Sequence, residues 1–196
     1  MDGTTAAAGA DRRNWLALAS VKGVGPAAAQ RLLKHFGSPA ALLACSRGEL
    51  IAAGMPADRA RALSQPDWRA VDRACAWLEE AGEARCLLTL QDVTYPELLR
   101  QIADPPLLLF VRGRRECLAA PQLAVVGSRN PSADGRGVAR DFARQLGHAG
   151  LTINSGLAVG IDAAAHEGAL DAGGATIAVS GCGPDRIYPQ RHADLA

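Results

Sequence analysis

Asp162 and His166 are the residues of this chain whose types and spacing first suggest chemistry. They lie four positions apart in the segment INSGLAVGIDAAAHEGAL, residues 153–170, shortly after Gly156 and Gly160. On a helix this spacing places both side chains on one face. An acid and a histidine so placed could act as an acid/base pair, contribute to a metal or phosphate site, or cap a helix.

The rest of the sequence favours a structural role for this pair. No serine or cysteine with a consistent partner accompanies it, and no acidic cluster suggests two-metal hydrolysis. We interpret Asp162 as a carboxylate that binds free N–H groups near the start of its helix. His166 would then bond to Asp162 or to a neighbouring turn and hold the glycine loop in shape. Direct ligand contact and catalysis remain the alternatives; we expect no catalytic residue, no metal and no cofactor.

Three short apolar segments with helix-like segments between them must position this loop. The segments QLAVVGS, GLTINSG and ATIAVSG are typical of buried strands, and each ends at a glycine: Gly127, Gly156 and Gly181. Alternation with helices predicts a βαβαβ unit, which means a parallel sheet with helices on both faces. The three turns should then lie at one edge of the sheet, where backbone N–H groups can bind a phosphate.

The first turn, GSRNPS, indicates what kind of phosphate compound could bind. It lacks the GxGxxG pattern of a dinucleotide site, and the chain has no GxxxxGK[ST] loop. Ser128, Arg129 and Ser132 are good donors for a phosphodiester. Three further arginines follow at four-residue intervals and would form either a basic track or a solvated helix face: Arg136, Arg140 and Arg144.

The composition fits an ordinary globular protein. The 196 residues are 48% hydrophobic and carry a net charge of +1, which excludes a wholesale polycation. The five cysteines are widely spaced and form no CxxC pair, so neither a disulfide framework nor a zinc site is expected. With no signal peptide and no apolar run of membrane-spanning length, we expect a cytoplasmic location and no membrane contact.

The N-terminal half reads as helical. We expect a disordered tail over residues 1–13 and a bundle of short helices over 14–82, separated at Gly37-Ser38-Pro39, Gly54-Met55-Pro56 and Gln65-Pro66. Within it, VKGVGPAAAQRLL has the shape of a helix-hairpin-helix turn, and AGMPADRARAL resembles a degenerate second copy. Such turns either bind DNA backbone or serve as packing and protein-contact units. The strand-like runs RCLLTL and PLLLFV would open a second domain over 83–196.

Several of these motifs together resemble the DNA-processing protein A (DprA/Smf) family. The segments that carry the resemblance are AVVGSRNPSADGRGVA, INSGLAVGIDAAAHEGAL and TIAVSGCGPDRIYPQRHADL, preceded by YPELLRQIADPPLLLFVRG. The resemblance covers roughly residues 14–196. It implies an α/β fold in which a helical SAM-like domain precedes a Rossmann-like domain, incomplete at its C-terminus because the family's pattern continues beyond Ala196.

The family's function is what the resemblance implies for this chain. It implies a single-stranded DNA-binding protein, not an enzyme, that protects incoming DNA in natural transformation and helps load the RecA recombinase. A homodimer is implied for the full-length form. The alternative is a nucleotide-processing enzyme of the related phosphoribohydrolase type, whose GGxGT turn is not evident here.

Matching the family's motifs residue by residue predicts a DNA site, in which Asp134 departs from the aromatic or small residue of many members. Asp162 and His166 would support this site as scaffold. The predicted DNA-binding residues are Gly127, Ser128, Arg129, Ser132, Gly156, Leu157, Gly160, Ile161, Gly181 and Gly183.

Overall fold

The computed structural model describes residues 3–80 and 84–196, which form two compact units, Met1–Gly113 and Arg114–Ala196. The expected division at residues 82 and 83 therefore differs from the observed one. Two strands that we expected to open the second domain belong to the first unit instead. No helix in the described ranges is long and apolar enough to cross a membrane.

The first unit is mainly helical, as its sequence predicts. Its N-terminus differs from the expected disordered tail, because α1 begins at Gly3 in an alanine-rich segment that favours helix. The breaks at Gly37, Gly54 and Gln65-Pro66 are confirmed, and a further break lies at Ser46, where Ser46 and Glu49 form a capping box. The helices are α1 Gly3–Ser20, α2 Pro26–Phe36, α3 Pro39–Ala44, α4 Arg47–Ala52, α5 Ala57–Leu63 and α6 Trp68–Glu79.

A β-hairpin completes the first unit. Strands β1 (Arg85–Thr89) and β2 (Leu108–Arg112) pair antiparallel, and α7 (Glu97–Arg100) lies in the connection. Side chains of the hairpin, including Leu87 and Phe110, pack against buried residues of α1 and α6. An antiparallel hairpin can bury one face on helices, so these strands need no parallel sheet to cover them.

The helix-hairpin-helix turn has its expected backbone but already holds an anionic partner. Gly23 has φ +81, Gly25 is the N-cap residue of α2, and Pro26 is the first residue of the helix. The backbone N–H of Ala27 donates to the carboxylate of Asp104 at 2.9 Å. The Asp104 carboxylate therefore satisfies one of the N–H groups at this helix N-terminus that could otherwise bind phosphate. This contact favours the packing interpretation of the turn.

The second unit contains the predicted βαβαβ unit. Strands β3 (Gln122–Ala124), β4 (Thr152–Ser155) and β5 (Thr176–Ala178) lie side by side in that order, and all are parallel. Helix α8 (Ala133–His148) joins β3 to β4, and α9 (Ile161–Asp171) joins β4 to β5. Short 3-10 helices lie at Arg115–Ala119 and Gln190–His192. The α/β fold class, with a helical domain followed by a parallel sheet, is confirmed.

Both α8 and α9 lie on the same face of this sheet. Ile153 of β4 is fully buried in one cluster with Ala143 of α8 and with Ala165 and Ala169 of α9. Strands added in one direction through right-handed crossovers must place their helices on one face. We expected helices on both faces of the sheet, and in the described part of the second unit helices cover only one face. On the other face Ala124, Val126 and Val179 are exposed.

A glycine allows α8 and α9 to cross at close range. A Cβ atom added at Gly168 would lie 2.1 Å from the backbone oxygen of Arg140 and 3.1 Å from the side chain of Ala143. No side chain can occupy that space unless the helices separate. Small residues along both helices therefore set the spacing of the layer that supports the sheet.

His166 lies inside the second unit, 2% exposed. Its Nδ1 is 2.6 Å from the hydroxyl oxygen of Thr176 in β5. That hydroxyl donates its hydrogen to the backbone oxygen of Ile153, so Nδ1 carries a hydrogen and donates to Thr176. Nε2 is buried without a hydrogen-bond partner among the described residues. Burial lowers the pKa of His166; nearby Asp162 raises it and His192 lowers it further.

We predict that Gly168→Ala destabilises the second unit by about 1–3 kcal/mol, because the added methyl group forces the crossing apart. Gly137→Ala in α8 is the matched control, since a Cβ there meets no atom within 4 Å. That variant should be neutral or more stable by up to about 1 kcal/mol. Urea unfolding followed by circular dichroism measures both. The 3 tryptophans all lie in the first unit, so the unfolding transition seen by tryptophan fluorescence should shift less than the one seen by circular dichroism. Equal unfolding transitions for the two variants would contradict the prediction.

We predict that the buried His166 makes stability fall as the pH drops below about 6.5. Its folded pKa lies below the ordinary value of 6.5, so the unfolded chain binds the proton more tightly and acid favours unfolding. His166→Asn cannot titrate and keeps an N–H that can reach Thr176. The difference in unfolding free energy between wild type and variant should decrease from about pH 7.5 to pH 5. Parallel pH profiles would show that His166 does not contribute.

Candidate nucleic-acid interface

The first glycine turn follows β3 and presents exposed donor groups. The hydroxyl oxygen of Ser128 accepts from the backbone N–H of Asn130 at 3.0 Å, and that of Ser132 accepts from Gly135 at 3.1 Å as the N-cap of α8. Both hydroxyl groups keep their hydrogens free to donate outward. Arg129 is exposed, and it forms no ion pair with any residue in the described ranges.

The second turn follows β4 and is held from two sides. The Asp162 carboxylate, 7% exposed, accepts from the backbone N–H groups of Gly156 at 3.2 Å and Ala158 at 3.3 Å. Nδ1 of His192 donates to the backbone oxygen of Leu157 at 2.8 Å. Leu157 itself is buried and has φ 60, a left-handed conformation that such contacts must stabilise.

The hydrogen bonds expected of Asp162 are observed and those expected of His166 are not, while the role of both residues as scaffold of a DNA site stays a prediction. Asp162 organises the loop that precedes its helix, while the N-cap position belongs to Gly160. His166 bonds to Thr176 of β5 and to neither Asp162 nor a glycine turn. Its side chain is buried under the sheet face, so it supports the position of α9 rather than the shape of the loop.

The first two turns are joined by direct contact. The backbone N–H of Ile161 donates to the backbone oxygen of Ser128 at 3.1 Å. Gly160 has φ +90, and a Cβ there would lie 2.2 Å from that same oxygen. A Cβ at Gly127 would lie 2.8 Å from the side chain of Ile161. Both glycines are therefore required for the two turns to meet.

A basic cavity of about 420 Å³ opens beside this junction. Three guanidinium groups line it, and none of them forms an ion pair within the part of the chain that the structure describes. Glu167 supplies a carboxylate at the wall. Arginine side chains of this kind bind phosphate oxygens through paired N–H donors. The polar residues of the wall are Arg129, Asn130, Arg136, Glu167, Arg191 and His192.

Several predicted site residues lie away from this cavity. Gly181 and Gly183 follow β5 at the same edge of the sheet, yet neither lines the wall, and a Cβ at Gly181 would meet no atom within 4 Å. Gly156 and Leu157 shape the second turn from behind. Asp134 is exposed in the first turn of α8 and does not line the cavity.

The arginine track along α8 is shorter than its spacing suggests. Arg140 pairs with Asp171 at 2.7 Å and Glu167 at 3.4 Å, and Arg144 pairs with Asp141 at 2.8 Å. Only Arg136 of the three lines the cavity. Carboxylates on α8 and α9 neutralise the other two, so the stripe is not a continuous basic surface.

Arg191 and His192 are the functional candidates that sequence reasoning missed. They belong to the 3-10 helix Gln190–His192, which returns to the second turn through the bond between His192 and Leu157. The only feature of the sequence that pointed to these two residues was their place in the family-like segment TIAVSGCGPDRIYPQRHADL. A short polar segment shows no helix or strand periodicity that could have placed them. No three His, Cys, Asp or Glu side chains of the described chain are grouped closely enough to hold a metal.

Comparison with known proteins gives relatives along nearly the whole chain. Protein Smf of Synechocystis sp. is 36% identical over an alignment of 205 positions, gaps included, that covers 96% of this chain and 48% of that protein. Protein Smf of Escherichia coli is 43% identical over 128 residues, 65% of this chain and 34% of that protein. The chain thus spans half or less of the length of these relatives.

A solved structure is similar to the chain in fold. The X-ray structure of DNA processing protein A from Streptococcus pneumoniae superposes with a TM-score of 0.75 at 29% identity, and it covers 93% of this chain and 62% of that one. The sequence-family model described as SAM-like helix-hairpin-helix tandem matches residues 16–64, which belong to the helical first unit.

The resemblance seen in the glycine motifs is therefore confirmed. The model of DNA recombination-mediator protein A matches residues 86–196, which include both glycine turns and the basic cavity. This match covers more than half of the sequence. The chain belongs to the DNA recombination-mediator protein A family, whose curated members include the DprA and Smf proteins.

Proposed function

We propose that this chain binds single-stranded DNA by its phosphodiester backbone and takes part in DNA processing during natural transformation. The observation that carries the proposal is the basic cavity beside the junction of the two turns, whose wall contains Arg129, Arg136 and Arg191. Three guanidinium groups that have no ion-pair partner among the described residues lie at one concave site, and they favour an extended anion over a neutral ligand. The family's DNA-processing members support the choice of nucleic acid.

The proposed contacts are to phosphate and not to particular bases. The turns carry guanidinium and hydroxyl donors. Aromatic residues make up only 4% of the chain, so few side chains are available to stack on bases. Affinity should therefore depend strongly on salt and weakly on sequence. The choice of a single strand over a duplex comes from the family resemblance.

We further propose that the site binds and does not catalyse. Asp162 is engaged by two backbone N–H groups, and His166 is buried against Thr176, so the two do not form an acid/base pair facing the cavity. The wall itself presents donors and a single carboxylate. This arrangement supports a binding protein more than a phosphoribohydrolase-type enzyme.

The wider role of the longer family proteins extends this proposal. It includes protection of incoming DNA and delivery of the strand to the RecA recombinase, with a second copy of the chain as a further partner. The description of the family as a recombination mediator supports the recombinase contact.

We predict that Arg129→Ala weakens binding of single-stranded DNA about tenfold for every sequence, because one charged phosphate contact is lost. The slope of log affinity against log salt should decrease by about 0.7. Arg144→Ala is the control, since it removes the same charge from a residue that pairs with Asp141 outside the cavity. Anisotropy titrations with homopolymer and mixed oligonucleotides at several salt concentrations measure both variants. Equal affinities of wild type and Arg129→Ala would refute the site.

We predict that Gly160→Ala separates the two turns and lowers both stability and DNA affinity. The added Cβ meets the Ser128 oxygen, and the backbone conformation is strained for any side chain, at a cost of about 1–3 kcal/mol. Gly173→Ala isolates the backbone effect, because φ is +65 there but no atom lies within 4 Å of the new Cβ. Urea unfolding and oligonucleotide titration compare the two. If both variants bind DNA equally well, contact between the turns is not needed for the site.

A further inference from the structure

Glu167 is the one carboxylate in the wall of the basic cavity, and its charge opposes that of the proposed ligand. The wall carries Arg129, Arg136 and Arg191 beside it. The Glu167 side chain is 43% exposed, so its charge is partly accessible to a bound anion. A carboxylate beside a phosphate repels it, and this repulsion is only partly screened at physiological salt.

Arg140 compensates this charge from outside the cavity. Its Nη1 lies 3.4 Å from Glu167 Oε2, and its Nε donates to Asp171 Oδ2 at 2.7 Å. Glu167 and Asp171 are four residues apart on α9, so a single guanidinium group on α8 reaches both. The hydrogen bond from Arg140 lowers the pKa of the Asp171 carboxyl, which keeps that side of the pair charged.

The position of Arg140 is fixed by the helix crossing. The backbone of Arg140 sits against Gly168, the residue that follows Glu167, where no side chain separates the helices. The guanidinium group therefore faces the α9 carboxylates at short range. Its removal would leave Glu167 uncompensated beside the three cavity arginines, where it would compete with the ligand for them.

We propose that Glu167 attenuates anion binding in this cavity and that Arg140 is the positioning residue that limits the attenuation. This inference rests on the proposed function and deepens it. A binding protein that passes a DNA strand onward must also release it, and a carboxylate in the wall favours dissociation. Changes in affinity at one site mostly appear in the dissociation rate, so the effect should be seen there.

The test compares Glu167→Gln, Arg140→Gln and the double variant of the full chain. Glu167→Gln should bind an oligonucleotide about two- to fivefold more tightly, with slower dissociation. Arg140→Gln should bind more weakly by a similar factor. The double variant should match Glu167→Gln, because Arg140 has no effect once residue 167 is neutral. Arg144→Gln is the charge control and should leave affinity unchanged, since it pairs with Asp141.

The same variants are titrated with inorganic tripolyphosphate, which separates this inference from the DNA function. A gain in tripolyphosphate affinity for Glu167→Gln, without any DNA binding by the wild type, would sustain the inference and reject the proposed function. Unchanged affinity of Glu167→Gln for both probes would overturn the inference. It would also be overturned if Arg140→Gln weakened binding equally with and without the Glu167 substitution, because Arg140 would then contact the anion itself.

Discussion

The contact between the first turn and the start of α9 is the constraint on which the rest of the second unit depends. The Ser128 oxygen accepts from the Ile161 N–H, and Gly160 leaves no atom between them. Through this contact two loops from neighbouring strands meet, and the backbone that carries Arg129 is held against the start of α9. A flexible loop would have to lose backbone conformational entropy on binding, whereas the backbone of this junction is already held in place.

The arginines of the second unit differ in whether a carboxylate compensates their charge. Arg140 and Arg144 of α8 have carboxylate partners on α9 and α8 respectively, while the arginines beside the joined turns have none in the described ranges. Three of the 21 Lys and Arg residues thus line one concave site of a chain whose net charge is only +1. The net charge therefore does not predict whether such a protein has a basic site, because basic and acidic residues are distributed unevenly over its surface.

Local patterns predicted the elements well and their partners less well. The glycine-ended apolar runs predicted β3, β4 and β5 and the edge at which their turns lie, because strand periodicity and turn chemistry are local properties. The hairpin β1–β2 was assigned to the other unit, since an apolar run does not reveal whether its partner is parallel or antiparallel. Arg191 lines the cavity because the 3-10 helix Gln190–His192 lies against the second turn. Arg140 does not extend the predicted basic track because it pairs with Asp171 of α9. Both depend on tertiary contacts that spacing does not encode.

The Asp104 carboxylate at the start of α2 limits what the helix-hairpin-helix turn can bind at this helix end. It belongs to the same chain as the Ala27 N–H that it binds, so it occupies that N–H without the loss of translational freedom that a dissolved phosphate would incur. An external anion would have to displace this carboxylate before it could accept a hydrogen bond from the Ala27 N–H. The helix-hairpin-helix turn is therefore occupied at this position by a group of its own chain.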